Sequence, residues 1–575
     1  MTSMAEEDGS RAPHQLRMGG PPRHRPRPSL LSPSPLYSWL DRLSGCLIFF
    51  MVVFGPWAFA SIRDWSMSTM NIAGYALGAL FLGKKMEAGR WKRKGRREGL
   101  GRGTSSPRPS PPWDGREGEE GAAWGQAAYK GQSLIRNPYS VILQEFHKRS
   151  EGVTWILGAV TILLLAWCGV SFLNARAHYV PWKFVFEYHD FIPWLPHSYD
   201  AEETRRGFFN YLAQACFFWS VRDWVMGKSE RERLAELNRL EPPSHERSKV
   251  PDRLRQLLWV LSINGTLLAI EGLVQRASGT GKMLWLLEPV FQTSASGFFG
   301  PFAYRGTAAS FFNLIWPVTL GFWWLLKREA RHAGRTRERL ETTSPTAWES
   351  LPRSVEPSRA RNILIPSALL MAICPIFSMS RGGAIVAVIE LVLIIFVLWL
   401  AARKTGWRTK VGVGAFFLAV VFFGAFLAWN DLLKRVEEDS SGFSGRMEIS
   451  RLSREMVKDN PIFGTGPDTF ATVFPLYRIA EDAPWVTQLH NDWLETRVTW
   501  GGVGYALVLV ALGCVAVRWM GPGGVRVQWV LVAAIGIAMG GCLLHARFDF
   551  PLQVYAVLNL FLLEAGVLGG LRIKD

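Results

Sequence analysis

The feature that most constrains this chain is the recurrence of apolar runs along nearly its whole length, each about 17–22 residues and so able to cross a ~30 Å hydrocarbon core. Twelve are read, at roughly 43–60, 67–83, 153–174, 207–226, 255–274, 306–326, 362–379, 383–402, 411–429, 498–517, 528–545 and 553–571. A hydrophobic content of 49%, with 26 Trp and 35 Phe in 575 residues, agrees with a chain that folds in lipid. The expected fold is therefore an all-α polytopic membrane protein with about 12 transmembrane helices, the second span being short.

A net charge of +17 raises the question of nucleic acid, but its placement answers it. Basic residues gather in alternate loops, Lys84 to Arg97, Lys228 to Lys249, Lys327 to Arg361 and Arg403 to Lys410. With the N-terminus inside, all four fall on one side, the positive-inside pattern. The charge then reads as topology and attraction to anionic membrane lipid, with no nucleic acid as partner. Six cysteines, Cys46, Cys168, Cys216, Cys374, Cys514 and Cys542, fall one to a span. None has metal-ligand spacing, and they read as small core residues.

In order, residues 1–40 read as a disordered cytoplasmic tail and 41–83 as the first two spans. Residues 84–150 read as a low-complexity cytoplasmic insert and linker that cannot bury a core. Residues 151–429 carry the third to ninth spans, 430–497 the longest outer loop, and 498–575 the last three spans. The outer loop Ala175 to Arg206 is rich in aromatics and prolines and is expected on the membrane surface. Its His178, His189, Asp190 and His197 fit no standard metal spacing.

Candidate functional residues concentrate at the outer ends of spans. Arg305 stands at the mouth of the sixth span, where the positive-inside rule gives no reason for it; it is either a snorkelling anchor or a site residue. Ser378-Met-Ser-Arg381-Gly382-Gly383 joins two spans so tightly that Arg381 lies at or in the membrane edge, beside glycines and a helix N-terminus able to receive an anion. Arg446 to Asp459 is helical by period, with Ile449, Leu452 and Met456 on one face, a stripe expected to lie on the membrane surface. Arg446 and Arg478 are placed to converge near His490, and arginines without matching acids point to a doubly charged anion. In the last outer turn, His545-Ala-Arg547-Phe-Asp549, Asp549 either pairs with Arg547 or orients a neighbouring site.

His490 opens His-Asn-Asp-Trp-Leu-Glu-Thr-Arg, where the long loop returns to the bilayer. An imidazole at that boundary suits proton transfer, or caps a span. If the helix starts near Thr487, His490 shares a face with Leu494 and Arg497. Gly501 and Gly504 would admit a close neighbouring helix.

Together these pieces resemble the O-antigen ligase and O-antigen polymerase (Wzy-type) superfamily. The resemblance runs over about residues 295–560. It rests on Ser380-Arg381-Gly382-Gly383, on Gly445-Arg446 with Lys458-Asp-Asn-Pro-Ile-Phe-Gly464-Thr-Gly466, on His490-Asn491 followed at fixed spacing by Gly501 and Gly504, and on His545 with Asp549-Phe-Pro551. Where many relatives carry an Asn-containing motif, this chain has Tyr304-Arg305-Gly306-Thr307. The resemblance implies a GT-C-like, metal-independent glycosyltransferase of the bacterial inner membrane that needs no cofactor. Its site would face the periplasm, its donor would be undecaprenyl-pyrophosphate-linked glycan, and its acceptor glycan, lipid A-core or protein. It implies that Arg381 and Arg446 or Arg478, with Arg305 in reach, hold the pyrophosphate and that His490 serves the acceptor hydroxyl, supported by Asn491, Gly501, Gly504 and Asp549.

The rival is a secondary transporter or lipid-linked glycan flippase, which would carry ionisable residues near the midplane and two similar halves. The sequence places its charged groups in outer loops and shows no internal repeat, which favours the enzyme.

Overall fold

The computed structural model describes residues 34–100, 138–229, 232, 250–289, 297–343, 359–402, 411, 415, 440–478, 486–520 and 525–570. The expected tail at 1–33, most of the insert and nearly all of the expected ninth span at 411–429 lie outside them. Thirteen α-helices are described: α1 Pro35–Trp57, α2 Asp64–Leu100, α3 Pro138–Leu173, α4 Ala201–Met226, α5 Asp252–Ser278, α6 Arg305–Thr343, α7 Leu364–Phe377, α8 Arg381–Ala401, α9 Ser440–Asp459, α10 Phe470–Val473, α11 Asp492–Met520, α12 Val525–His545 and α13 Tyr555–Gly570. Eleven of the twelve expected spans coincide with helices. Six are long and apolar enough to cross a membrane (Pro35–Trp57, Gly152–Leu173, Asp252–Ser278, Arg305–Arg331, Arg381–Ala401 and Asp492–Val517), and three shorter helices are apolar, Arg361–Phe377, Trp529–His545 and Tyr555–Gly569. The molecule is thus a helical, polytopic membrane protein.

Two expectations need correction. The fold is not purely helical: β1 Ala177–Val180 and β2 Val185–Tyr188 form an antiparallel hairpin in the outer loop after α3. The linker expected from Lys84 is helical as far as Leu100, because α2 runs on past its apolar part.

At the centre stands α6, whose Phe312, Leu314, Ile315, Trp316 and Phe322 are fully buried. It packs chiefly on α12 and α7, with α8 and α5 beside them. Charges mark one end of the bundle. Asp41 of α1 accepts from Arg253 of α5 and from Lys84 of α2 at 3.2 Å, and Lys84 reaches Asp223 of α4 at 2.7 Å. Lys84 is only 2% exposed, and its ammonium is enclosed by the carboxyl groups of Asp41 and Asp223. Arg255 and Glu329 pair at the same end at 2.9 Å. The beginnings of α6, α8 and α11 and the end of α12 lie at the other end, away from the basic loops.

Outside the bundle, Met456, Phe470, Val473, Phe474, Leu489 and Val498 make a small second core, against which Ile449 and Leu452 pack. The apolar stripe of α9 therefore faces protein, not lipid. Its polar face is tied by local pairs, Arg451 with Glu448 and Lys458 with Glu455. Two carboxyl groups lie where the sequence reading placed none: Glu390 of α8 and Glu564 of α13 are buried inside the bundle, within electrostatic reach of each other.

Candidate active site

The site forms where four separate segments meet at the end of the bundle opposite the Asp41–Lys84–Arg253 network. His490 precedes α11 and is not on it. Its backbone takes φ +56°, a left-handed conformation that turns the chain sharply before the helix. Asn491 then caps α11 by accepting from Leu494 N at 3.2 Å, and Glu495 reaches back to Leu489 N at 2.9 Å. The shared face with Leu494 and Arg497 is thus absent, and His490 is held by caps on both sides.

The turn after α12 supplies its partner. His490 Nδ1 lies 3.2 Å from Asp549 Oδ1. Asp492 clamps this turn onto the start of α11: its N–H donates to Ala546 O at 2.9 Å, and its carboxylate accepts from Leu552 N at 2.8 Å. A carboxylate beside Nδ1 fixes the proton there, which leaves Nε2 as a free acceptor. The His490 side chain is 24% exposed, so the imidazole is partly open at the surface of the site.

Three further groups surround Asp549. Tyr304 hydrogen-bonds to it and stacks on Phe550 at 5.0 Å, and both rings meet His490 edge-on. Gly306, on the first turn of α6, backs directly onto Asp549 Oδ2, a place that any Cβ would fill. His545, 1% exposed, brings Nε2 to 3.8 Å from Asp549 Oδ2, and its Nδ1 lies 2.5 Å from Ser310 Oγ. Ser310 Oγ also lies 3.1 Å from Gly306 O, so its one proton is shared between that carbonyl and His545 Nδ1 according to the imidazole tautomer. Burial alone would raise the Asp549 carboxyl, but the His490 hydrogen bond, with the charges of His545, His490 and Arg446, holds it below the ordinary carboxylate range. Asp549 is therefore ionised at neutral pH. Burial and the Asp549 charge raise the Tyr304 phenol, against Arg446 and Arg305, so it stays a neutral donor.

The arginines are placed as follows. Half-buried Arg446, near the start of α9, acts on both Asp549 and Tyr304, and half-buried Arg305 acts on Tyr304. Arg381 is exposed at the first position of α8. Ser380 caps that helix through Gly383 N at 3.2 Å, and at Gly382 a Cβ would stand 3.1 Å from His545 Nε2. Arg478 is half-buried and follows the 3-10 turn Phe474–Tyr477 beside the small second core. Arg547 is exposed, and Asp549 turns to the two histidines.

The glycines expected to admit a helix do something more specific. At Gly501 (φ +65°, ψ −171°) α11 breaks. The loop Asn460–Gly466 inserts at the break: Gly502 N donates to Pro461 O, Thr465 N to Val498 O and Gly466 N to Thr499 O, each at 3.0 Å. Gly501 and Gly464 meet backbone to backbone with no room for a side chain on either. At Gly504 a Cβ would lie 3.3 Å from Trp167 Nε1 of α3, the close helix approach the sequence implied.

Residues 366–509 match the family model described as O-antigen ligase. This stretch is similar to the O-antigen ligase family. The match covers about a quarter of the chain and takes in Arg381, Arg446, Arg478, His490, Asn491, Gly501 and Gly504; Arg305, His545 and Asp549 lie outside it. A comparison with curated proteins gives no match. The match supports a place in the O-antigen ligase/polymerase superfamily and a role in membrane glycan transfer in polysaccharide biosynthesis. Reasoning from the sequence did not bring Tyr304, Ser310 or His545 to Asp549. The Tyr304-Arg305-Gly306 run was visible as a departure from the family pattern, but nothing in the sequence says that it reaches Asp549.

Proposed function

We propose that this protein is a metal-independent glycosyltransferase. It moves, or polymerises, glycan from an undecaprenyl-pyrophosphate donor onto an acceptor hydroxyl at the periplasmic face of the bacterial inner membrane, spanning it about twelve times in a GT-C-like arrangement. The observation that carries the reading is the His490 Nδ1–Asp549 Oδ1 contact of 3.2 Å, which leaves Nε2 as a free acceptor beside half-buried arginines.

In this reading Nε2 takes the acceptor hydroxyl proton as the oxygen attacks the anomeric carbon. The carbon–oxygen bond to phosphate breaks, and undecaprenyl pyrophosphate leaves with the electron pair. Asp549 stabilises the imidazolium that forms, as a buried carboxylate beside a catalytic histidine does. Arg446 and Arg305, with Arg381 at the rim and Arg478 further along the outer loop, offset the charge growing on the pyrophosphate without reorganisation. The acceptor is glycan, lipid A-core or protein. The outward direction is supported by the basic ends gathered at the other end of the bundle.

Glu390 and Glu564, buried in the bundle, are what a transporter or flippase would display. Reconstitution with lipid-linked donor and acceptor separates the two. Glycan transfer with release of undecaprenyl pyrophosphate is expected; movement of donor between leaflets without chemistry would sink the enzyme.

A further inference from the structure

The outer loop after α3 exposes more apolar surface than a loop bathed in water should. Leu173, the last residue of α3, is 78% exposed, and beyond it Trp182, Phe184, Tyr188 and Trp194 are all exposed. Hydrogen bonds fix where these side chains lie relative to the end of α3. Asn174, the residue after the span, donates to Ile192 O at 2.9 Å and to Pro196 O at 3.1 Å, and accepts from Ile192 N at 2.7 Å. Trp194 lies between those two latch points at 74% exposure, so it sits level with the end of the span. Lower on the same apolar span, Trp155, Ile156, Ile162 and Leu163 are exposed. The loop surface continues that exposed apolar surface upward. Behind it, Arg176 packs against Tyr188, Phe191 and Tyr199, with its ring contact to Tyr199 at 4.2 Å, and ties these rings together.

The loop is also tied to the candidate site. Tyr199 N donates to Thr465 O at 2.9 Å, Thr204 Oγ1 donates to Pro467 O at 2.8 Å, and His197 meets Phe463 ring to ring at 5.6 Å. Thr465 and Gly466 in turn hold the break in α11 that follows His490.

We infer that residues 182–194 dock into the headgroup region of the outer leaflet and set the height of His490 above the bilayer. The occupant is lipid. The surface is continuous with a membrane span, and Trp and Tyr rings with one apolar and one polar edge settle at that depth. Through the 460–468 loop, this anchor holds the site level with the pyrophosphate of a lipid-borne donor, a consequence that rests on the proposed function; the docking itself does not.

The test places a bimane label at Trp194→Cys and Trp182→Cys in the full-length protein in phosphatidylethanolamine/phosphatidylglycerol nanodiscs. Labelled unsubstituted protein serves as blank and Arg454→Cys, on the exposed face of α9, as the water-facing control. Lipid carrying a doxyl group at carbon 5 should quench both loop positions several-fold more than position 454, with iodide giving the reverse order. Iodide quenching at 194 equal to that at 454 would overturn the docking. So would iodide quenching that free oligosaccharide suppresses, which would make the loop a sugar platform. Because quenching needs no turnover, the docking is judged separately from glycan transfer. Trp194→Tyr, which keeps an amphipathic aromatic ring and tests folding, should retain doxyl quenching measured at position 182.

Discussion

Gly501→Ala should disable the protein more than any other single methyl added to α11. The native backbone at φ +65° and ψ −171° belongs to a region almost closed to L-residues, and holding Ala there costs about 1–3 kcal/mol. The new Cβ would also strike backbone, Ile462 O and Gly464 N, which cannot swing aside as a flexible side-chain tip could. Relief requires the Asn460–Gly466 loop to withdraw, breaking some of the three 3.0 Å hydrogen bonds at the kink, each about 1 kcal/mol net. Strain plus two lost bonds amounts to about 3–5 kcal/mol, a large part of a stability of about 5–15 kcal/mol.

The assay is the thermal midpoint in one detergent at one scan rate, with glycan transfer measured alongside. Gly513→Ala is the internal control: the same helix, open space around the site, and a helical position where Ala should be neutral or better by about 0.5–1 kcal/mol. A midpoint for Gly501→Ala within the small shift of Gly513→Ala would refute the reading of a glycine-locked kink. A lowered midpoint with intact transfer at low temperature would show that the kink stabilises the fold without aiming His490.

Three further outcomes follow from the same geometry. Asp549→Asn should keep the fold yet lower transfer about 10²–10³-fold, because the amide still accepts from His490 but no longer stabilises its imidazolium; single-turnover rates at matched protein levels check this. His545→Ala should lower both transfer and thermal midpoint, since Ser310 and Asp549 Oδ2 lose a buried partner at a cost of about 1–3 kcal/mol, whereas exposed Arg547→Ala should do neither. Arg446→Lys should raise the donor concentration needed for half-maximal rate far more than Arg454→Lys, because a forked contact to phosphate needs a guanidinium and the exposed face of α9 does not.

The helices were legible because a span must be apolar for about twenty residues, a local property. The Ser380–Gly383 turn, and His490, Gly501 and Gly504 as positions to examine, were legible as residue types at chemically telling places. What failed was contact across the chain. His545 read as the less important histidine, because only the folded chain brings residue 545 beside residues 549, 310 and 382. Whether the helix took in His490 was left open, because periodicity is blind to one residue at positive φ ahead of a cap. The α9 stripe was correctly apolar, but amphipathicity alone does not say whether protein or lipid covers it. Glu390 and Glu564 each stand alone in an apolar run, so no local pattern marks them.

The central claim is that the Nε2 of His490 removes the acceptor proton. The most direct measurement is single-turnover transfer by His490→Gln in proteoliposomes loaded with lipid-linked donor, with donor binding measured in the same preparation. A glutamine amide hydrogen-bonds a hydroxyl but does not take its proton at neutral pH. Donor binding within about twofold of the parent, with transfer lower by at least ~10²-fold on general-base magnitudes, is the expected result. Transfer by His490→Gln near the parent rate would contradict the account, leaving His490 a positioning group and the arginines the main source of rate.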